Sequence, residues 1–350
     1  MKIVVKTVRK LLNTLYVTTP ESYIARDGEN ILVKVNDNIL FRVPVHNLES
    51  IVCFGYMGAS PSAMYLCCEK GVGLSFLNEH GKFLARVSGE VSGNVYLRKK
   101  QYKWSEEETE KLRLSKRFVV SKIHNSRRVL QRVIREHPDK DVENKLLTTS
   151  ERLKKMLNRV EVSNSVDSVR GIEGEAASAY FSCFDILILN QKEHFTFNER
   201  TRRPPTNPVN ALLSFLYTVL MHECSSALET VGLDPQVGYL HVDRSGRKSL
   251  ALDLMEELRA YMVDRMVLSL INRRQVTGNG FVKRENGAVI MNDETRKEVL
   301  IAWQNRKRDE ITHPFLSEKI DVGLLPYVQA MLLARNIRGD LDDYPPFLWK

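Results

Sequence analysis

The hydrophobic period changes once along this chain, and that change dictates a two-part fold. Up to about residue 95, short runs alternate apolar and polar side chains between turn residues, the period-two signature of strands. "NTLYVTTP", "SYIARDGENILVKV" and "NDNILFRVPV" do so around Asp27–Gly28 and Asn36–Asp37–Asn38, and "VGLSFLNEHGKFLARV" repeats the pattern around Asn78–Gly81. One helix interrupts the strands: Ser60 caps it, Pro61 takes the first helical position and Gly71 ends "AMYLCCEK". "LRKKQYKWSEEE" then turns charged. Beyond it the apolar residues recur at helical spacing in "KRFVVSKIHNSRRVLQRVI", "VNALLSFLYTVLMHECSSALETV" and "LDLMEELRAYMVDRMVLSLI". The expected fold is α+β: a small, β-sandwich-like domain over 1–95, a linker over 96–108, and a larger all-α domain over 109–350.

Charge and cysteine usage narrow the function. No run of 18 or more apolar residues occurs, and "MKIVVKTVRKLLNTLYV" is broken too often by lysine and arginine for a signal-peptide core, so the chain reads as cytoplasmic with no membrane span. The five cysteines lie mostly in apolar company without a CxxC pair, which suits buried free thiols rather than disulfides or structural zinc. The net charge of +9 is concentrated: Lys111 to Arg135 holds nine basic residues, Arg127, Arg128 and Arg132 among them, and no acidic one. A solvated helix face normally mixes signs, so this run favours phosphate contact. Arg202 and Arg203, stiffened by Pro204 and Pro205, are further candidates for DNA phosphates.

Three segments carry ligand-type side chains in unusual settings. In "VRGIEGEAASAYF" a helix sets Glu173 on the side of Val169, Ala176, Ala177 and Tyr180, where a carboxylate is costly unless paired or bound to a cation. The alanines leave room for a partner, and Gly174 suggests close approach of another element. His241 ends an apolar run in "VGYLHVDRSGRKS". Asp253 and Glu256 in "LDLMEEL" are neighbours on one helix face. Two carboxylates, a histidine and an extra acid suit a hard cation, with the imidazole favouring Mn²⁺ over Mg²⁺ alone. Ordinary readings compete: Asp253, Glu256, Glu257 and Asp264 as a solvated face, His241 as a surface histidine, and Arg170 as the partner of Glu173.

"RGIEGEAASAYF", "RTRRPPTNPVNALLSFLYTVL", "GLDPQVGYLHVDRSGRKSLALDLMEELR" and "DEITHPFLSEKIDVGLLPYVQAMLLARNIRGDLDDYPPFLWK" resemble the CRISPR-associated integrase that inserts new spacers, its subtype I-C branch in particular. The resemblance covers essentially the whole chain. It implies metal ligands at Glu173, His241 and Glu256, with Asp253 beside them, and Mg²⁺ or Mn²⁺ as cofactor. Glu256 stands where other branches often carry aspartate. The implied fold is a dimerising β domain and a helical domain bearing the site. The implied chemistry is transesterification, in which the 3′-hydroxyl of a short duplex DNA fragment attacks a phosphodiester at the edge of a CRISPR repeat, with hydrolysis when water replaces the hydroxyl. A homodimer and a small ferredoxin-like partner bridging two dimers are implied as well. A DNA-repair nuclease and a non-catalytic DNA-binding scaffold are the rival readings.

Overall fold

The computed structural model describes residues 14–48, 50–55, 57–78, 83–89, 95–141 and 143–350. Backbone contacts divide the chain into Met1–Val91 and Ser92–Lys350. The first unit holds β1 (Thr14–Val17), β2 (Tyr23–Asp27), β3 (Asn30–Val35), β4 (Asn38–Pro44), β5 (Ser50–Phe54), β6 (Gly58–Ala59), α1 (Pro61–Glu69), β7 (Gly73–Leu77) and β8 (Phe83–Val87). Two expected hairpins form. β2 and β3 pair antiparallel up to Asp27↔Asn30, with Gly28 at φ +58°, and Val35↔Asn38 closes β3–β4 over Asn36 and Asp37. Both of those turn residues have positive φ, which asparagine and aspartate tolerate and which matches strand twist in a two-residue hairpin. α1 begins as expected, the Ser60 hydroxyl accepting from Ala63 N with Pro61 behind it.

The sheets themselves run β4-β3-β2-β6 and β1-β5-β7-β8, and β1–β5, β5–β7 and β2–β6 are parallel pairs. Parallel partners are distant in sequence, so turn residues do not announce them. Ile24, Ile31 and Val33 of one sheet, Val17, Ile51 and Leu74 of the other, and Ala63, Leu66 and Cys67 of α1 share one apolar cluster. All five cysteines are free thiols, four of them buried and Cys68 half-buried. The first thirteen residues and part of the Asn78–Gly81 turn lie outside the described residues.

The second unit contains α2 (Val95–Glu106), α3 (Glu108–Glu136), α4 (Lys145–Glu161), α5 (Val166–Phe181), α6 (Pro208–Thr230), α7 (Ser249–Leu258), α8 (Arg265–Asn272), α9 (Asp293–Lys307) and α10 (Leu325–Arg338). It is not all-α. β9 (Phe281–Lys283) pairs with β10 (Val289–Met291), and β11 (Glu310–Thr312) with β12 (Lys319–Asp321). The segment expected to be a linker is mostly α2, because its charges cover one face while Leu97 and Gln101 are buried. Gln101 Nε2 donates to Asp234 O at 2.8 Å and Val237 O at 3.0 Å, and its Oε1 accepts from Asp234 N at 2.9 Å, which docks the helix within this unit.

α3 is the central helix. Its apolar stripe, including Leu114, Phe118 and Ile123, packs against α4, α5 and α7. α6 is long and apolar enough to cross a membrane, yet most of it is buried inside the unit, as a core helix is. "LDLMEELRAYMVDRMVLSLI" is not one continuous α-helix: a π-helical turn, Arg259–Asp264, separates α7 from α8. Such turns re-aim side chains locally.

Candidate functional site

Ser165 starts α5 by accepting from Ser168 N at 3.2 Å, and the helix then buries Val169, Ala176 and Tyr180. Glu173 sits half-buried on that side. The local pairing with Arg170 does not form, since Arg170 reaches Asp167 at 2.5 Å and Leu240 O at 3.1 Å. Glu173 Oε1 instead accepts from Lys122 Nζ of α3. Gly174 is exposed, and a Cβ there would meet nothing within 4 Å, so close approach does not explain it. Ala176 and Ala177 do leave room. They line a cleft together with Lys122, Ser126, Tyr180, Arg202, Tyr217, Arg259 and Asp264.

The loop before α7 is built around Asp253, which is fully buried. Its Oδ2 accepts from Tyr239 N at 2.7 Å and Leu240 N at 3.0 Å; its Oδ1 accepts from His241 N at 2.9 Å and lies 2.6 Å from His241 Nδ1. An ionised carboxylate has the lone pairs for all four donors and sets the tautomer with Nδ1 protonated, leaving the Nε2 lone pair free. The loop passes so close that a Cβ on Gly238 would lie 2.7 Å from Ser249 Cβ and 2.9 Å from Asp253 Oδ2. Only glycine fits there.

One turn along α7, Glu256 is 3% exposed. Arg259 Nη2 lies 3.0 Å and His241 Nε2 3.9 Å from its Oε1, while Lys122 Nζ lies 2.6 Å from its Oε2. Burial alone would raise the Glu256 carboxyl. Arg259, then Lys122, outweigh burial and hold it at about 2. Oε2 is buried with the Lys122 ammonium 2.6 Å away as its counter-charge. Carboxylate oxygens of Glu173 and Glu256 that share one cation, with His241 Nε2 3.9 Å from Glu256, suit a hard cation with one nitrogen ligand. Among the described residues no three His, Cys, Asp or Glu side chains are grouped closely enough to hold a metal as they stand, and the ammonium of Lys122 lies between the two glutamates.

The solvated-face reading of this segment fails, since Asp253, Glu256, Glu257 and Asp264 are all buried. Glu257 Oε2 accepts from Gln329 Nε2 at 2.9 Å and Phe347 N at 2.7 Å, its Oε1 from Tyr344 Oη at 2.5 Å, and burial raises it to about 8 against those bonds. Burial likewise raises Asp264 to about 6, against a hydrogen bond from Tyr217 Oη. Its carboxyl in the unfolded chain titrates near ~4, so the folded state holds this proton more tightly. The stabilisation is complete below about pH 4 and is lost as pH rises through about 6. An asparagine in its place would not titrate. Asp264→Asn should therefore gain stability relative to the parent between about pH 4.5 and 7, by about 2 kcal/mol at ~1.4 kcal/mol per unit, measured as urea-unfolding free energies at the two pH values. A constant difference between the two proteins would show that Asp264 is already ionised.

The basic run is less free than its sequence implies. Arg113 and Arg117 pair with Asp343, and Arg117 also with Glu161. Arg127 binds Ser150 O at 3.1 Å and Glu151 at 3.3 Å, Arg132 pairs with Glu136 at 2.9 Å, and Arg128 lies 6.0 Å from the Trp349 ring centre. Glu151, Glu161 and Asp343 come from α4 and the C-terminal segment, where no local window reveals them, whereas Glu136 directly follows the run. Arg202 and Arg203 are exposed, Arg202 at the cleft.

A strand-built unit, followed by a helical unit that gathers two carboxylates and a histidine from three separate elements, defines an α+β protein with a candidate cation site. A family model described as CRISPR associated protein Cas1 matches residues 15–305. A CRISPR-associated endonuclease Cas1 from Chlorobaculum tepidum is 48% identical over 342 residues, covering 98% of this chain and 100% of its own. Among solved structures, a casposase bound to integration product superposes with a TM-score of 0.83 at 21% identity, over 97% of this chain and 94% of that one. A chain of a Cas6-RT-Cas1–Cas2 complex gives 0.81 at 24% identity, over 97% and 36%. At these identities the two structures share its fold. The chain belongs to the CRISPR-associated Cas1 family.

Proposed function

We propose that this chain is a metal-dependent DNA endonuclease and integrase of CRISPR adaptation, joining the 3′-hydroxyl ends of short duplex fragments to a CRISPR repeat by transesterification. The observation that carries the reading is the convergence of Glu173, His241 and Glu256 from α5, the Asp253-anchored loop and α7. These three would hold Mg²⁺ or Mn²⁺. When bound, the cation supplies charge stabilisation at the attacked phosphate and eases deprotonation of the hydroxyl. Asp253 keeps the His241 ring turned with Nε2 inward, and Arg259 keeps Glu256 ionised at Oε1. Arg202 and Arg203, with Arg128 and Arg132, would take phosphates along the duplex; Arg127, occupied by α4, would contribute least.

Family membership supports a homodimer and a small ferredoxin-like adaptation partner bridging two dimers, in the cytoplasm, and the long motifs support the subtype I-C branch. The β unit adds a physical reason for self-association: among the described residues β4 is the edge of its sheet, and Ile39, Leu40 and Phe41 on it are about half exposed. The function is tested with a labelled duplex, a plasmid bearing the repeat, and Mn²⁺, Mg²⁺ or EDTA. Joined product is expected with either metal and none with EDTA. Cleavage without joining would leave a nuclease, and binding without any product a scaffold.

A further inference from the structure

We infer that the Lys122 ammonium is an exchangeable counter-cation that sits between the Glu173 and Glu256 carboxylates in the metal-free protein and leaves when a divalent cation binds there. The inference rests on the metal reading of this site. Lys122 comes from the middle of α3, whereas the two carboxylates come from α5 and α7. Its side chain is nearly buried, so it is held there rather than draped over the surface. It contacts Glu173 Oε1 and lies 2.6 Å from Glu256 Oε2, while Arg259 and His241 face the other oxygen of Glu256, Oε1. The lysine is thus the group on the side that both glutamates share.

Two carboxylates that face one point repel each other, and a cation between them relieves that repulsion. An ammonium can serve while no metal is present. It competes with a metal for the same oxygens, and the apparent metal affinity is lowered by the fraction of protein in which the lysine sits inside. Lysine suits this exchange better than arginine, because a compact charge on a flexible stem can move where a planar fork already fitted to carboxylates is harder to displace. Lys122 also lines the cleft that holds Arg202 and Arg259, so an ammonium released from the carboxylates stays near two guanidinium groups, an arrangement that calls for an anion in the cleft. Three cations around a cleft beside the carboxylates suit the non-bridging oxygens of a phosphodiester. One residue would then neutralise the empty site and contact the substrate once the site is filled.

The test is calorimetric titration of the full-length protein with Mn²⁺, without DNA, on the parent, Lys122→Met, Lys122→Gln, Lys122→Arg and Glu173→Gln. Both neutral variants are expected to bind Mn²⁺ on the order of tenfold more tightly than the parent, and Lys122→Arg more weakly. In EDTA the neutral variants should melt below the parent, and Mn²⁺ should raise their melting temperature by more than it raises the parent's. If Lys122→Met fails to fold, Lys122→Gln carries the comparison with less change in polarity. Mn²⁺ affinity equal to or weaker than the parent's in the neutral variants overturns the exchange while the metal reading stands, provided that Glu173→Gln loses binding. No Mn²⁺ binding by any of the five proteins removes the metal reading, and the exchange with it.

Discussion

Glu173→Ala is expected to reduce strand transfer to background while the protein melts close to the parent. Glu256→Gln is expected to lose activity as completely and to lose stability as well. The two differ because of what each carboxylate neutralises. Glu173 is half-buried and pairs with one flexible lysine, and its neighbours are already small, so truncation leaves a gap that water can enter. Glu256 is buried against Arg259 and Lys122. Its amide analogue strands those cations, and breaking a buried pair from one side costs about 3–5 kcal/mol. For activity, losing a charged group that orders the transition state costs on the order of 10²–10³-fold, and losing a metal ligand should cost at least that. The measurements are joining of a labelled duplex to a repeat-bearing plasmid at saturating Mn²⁺, with thermal melts of the same preparations. Substantial joining by Glu173→Ala would remove that residue from the site.

How much of this was legible in the sequence depended on whether a signal was local. The β2–β3 and β3–β4 hairpins and the start of α1 follow from Gly28, Asn36, Asp37, Ser60 and Pro61, residues whose backbone preferences act within a few positions. The parallel pairings of β1, β5 and β7 rest on strands far apart in the chain. The hairpins β9–β10 and β11–β12 did carry turn residues, Asn286–Gly287 and His313–Pro314, but the surrounding helical period hid them. Glu173 stood out because a carboxylate on an apolar stripe is conspicuous. Lys122 offered the same signal: at four-residue spacing it follows Leu114 and Phe118 and precedes Ser126, all buried. Within a run of nine basic residues that signal is masked, because the lysine reads as one more phosphate contact. Burial of Glu257 and Asp264 could not be read, since their partners Tyr344, Gln329 and Tyr217 come from other elements.

Asp253→Asn should be far more damaging than replacement of a carboxylate that merely neighbours the site. Spacing leaves Asp253 and Glu256 equal and the family resemblance makes Asp253 an auxiliary acid whose loss excess metal partly repairs, but the structure gives it four donors to satisfy. An asparagine presents one oxygen and one NH₂. Whichever way the amide turns, two N–H groups lose their acceptor and face another donor in a buried place, at about 1–3 kcal/mol for each unsatisfied group. With the amide nitrogen toward His241, the ring loses the bond that fixes Nδ1–H, and loss of such an orienting partner typically weakens metal binding ~10–100-fold. With the nitrogen toward Tyr239 and Leu240, the loop carrying the ring is freed instead. Raising Mn²⁺ should therefore restore only part of the strand transfer, and the urea midpoint should fall together with activity. Gly238→Ala offers an independent route to the same defect, because its methyl would press on Asp253 Oδ2 and Ser249. A parent-like urea midpoint with full rescue by Mn²⁺ in Asp253→Asn would mean that the carboxylate acts on the cation alone and that the loop holds its shape without it.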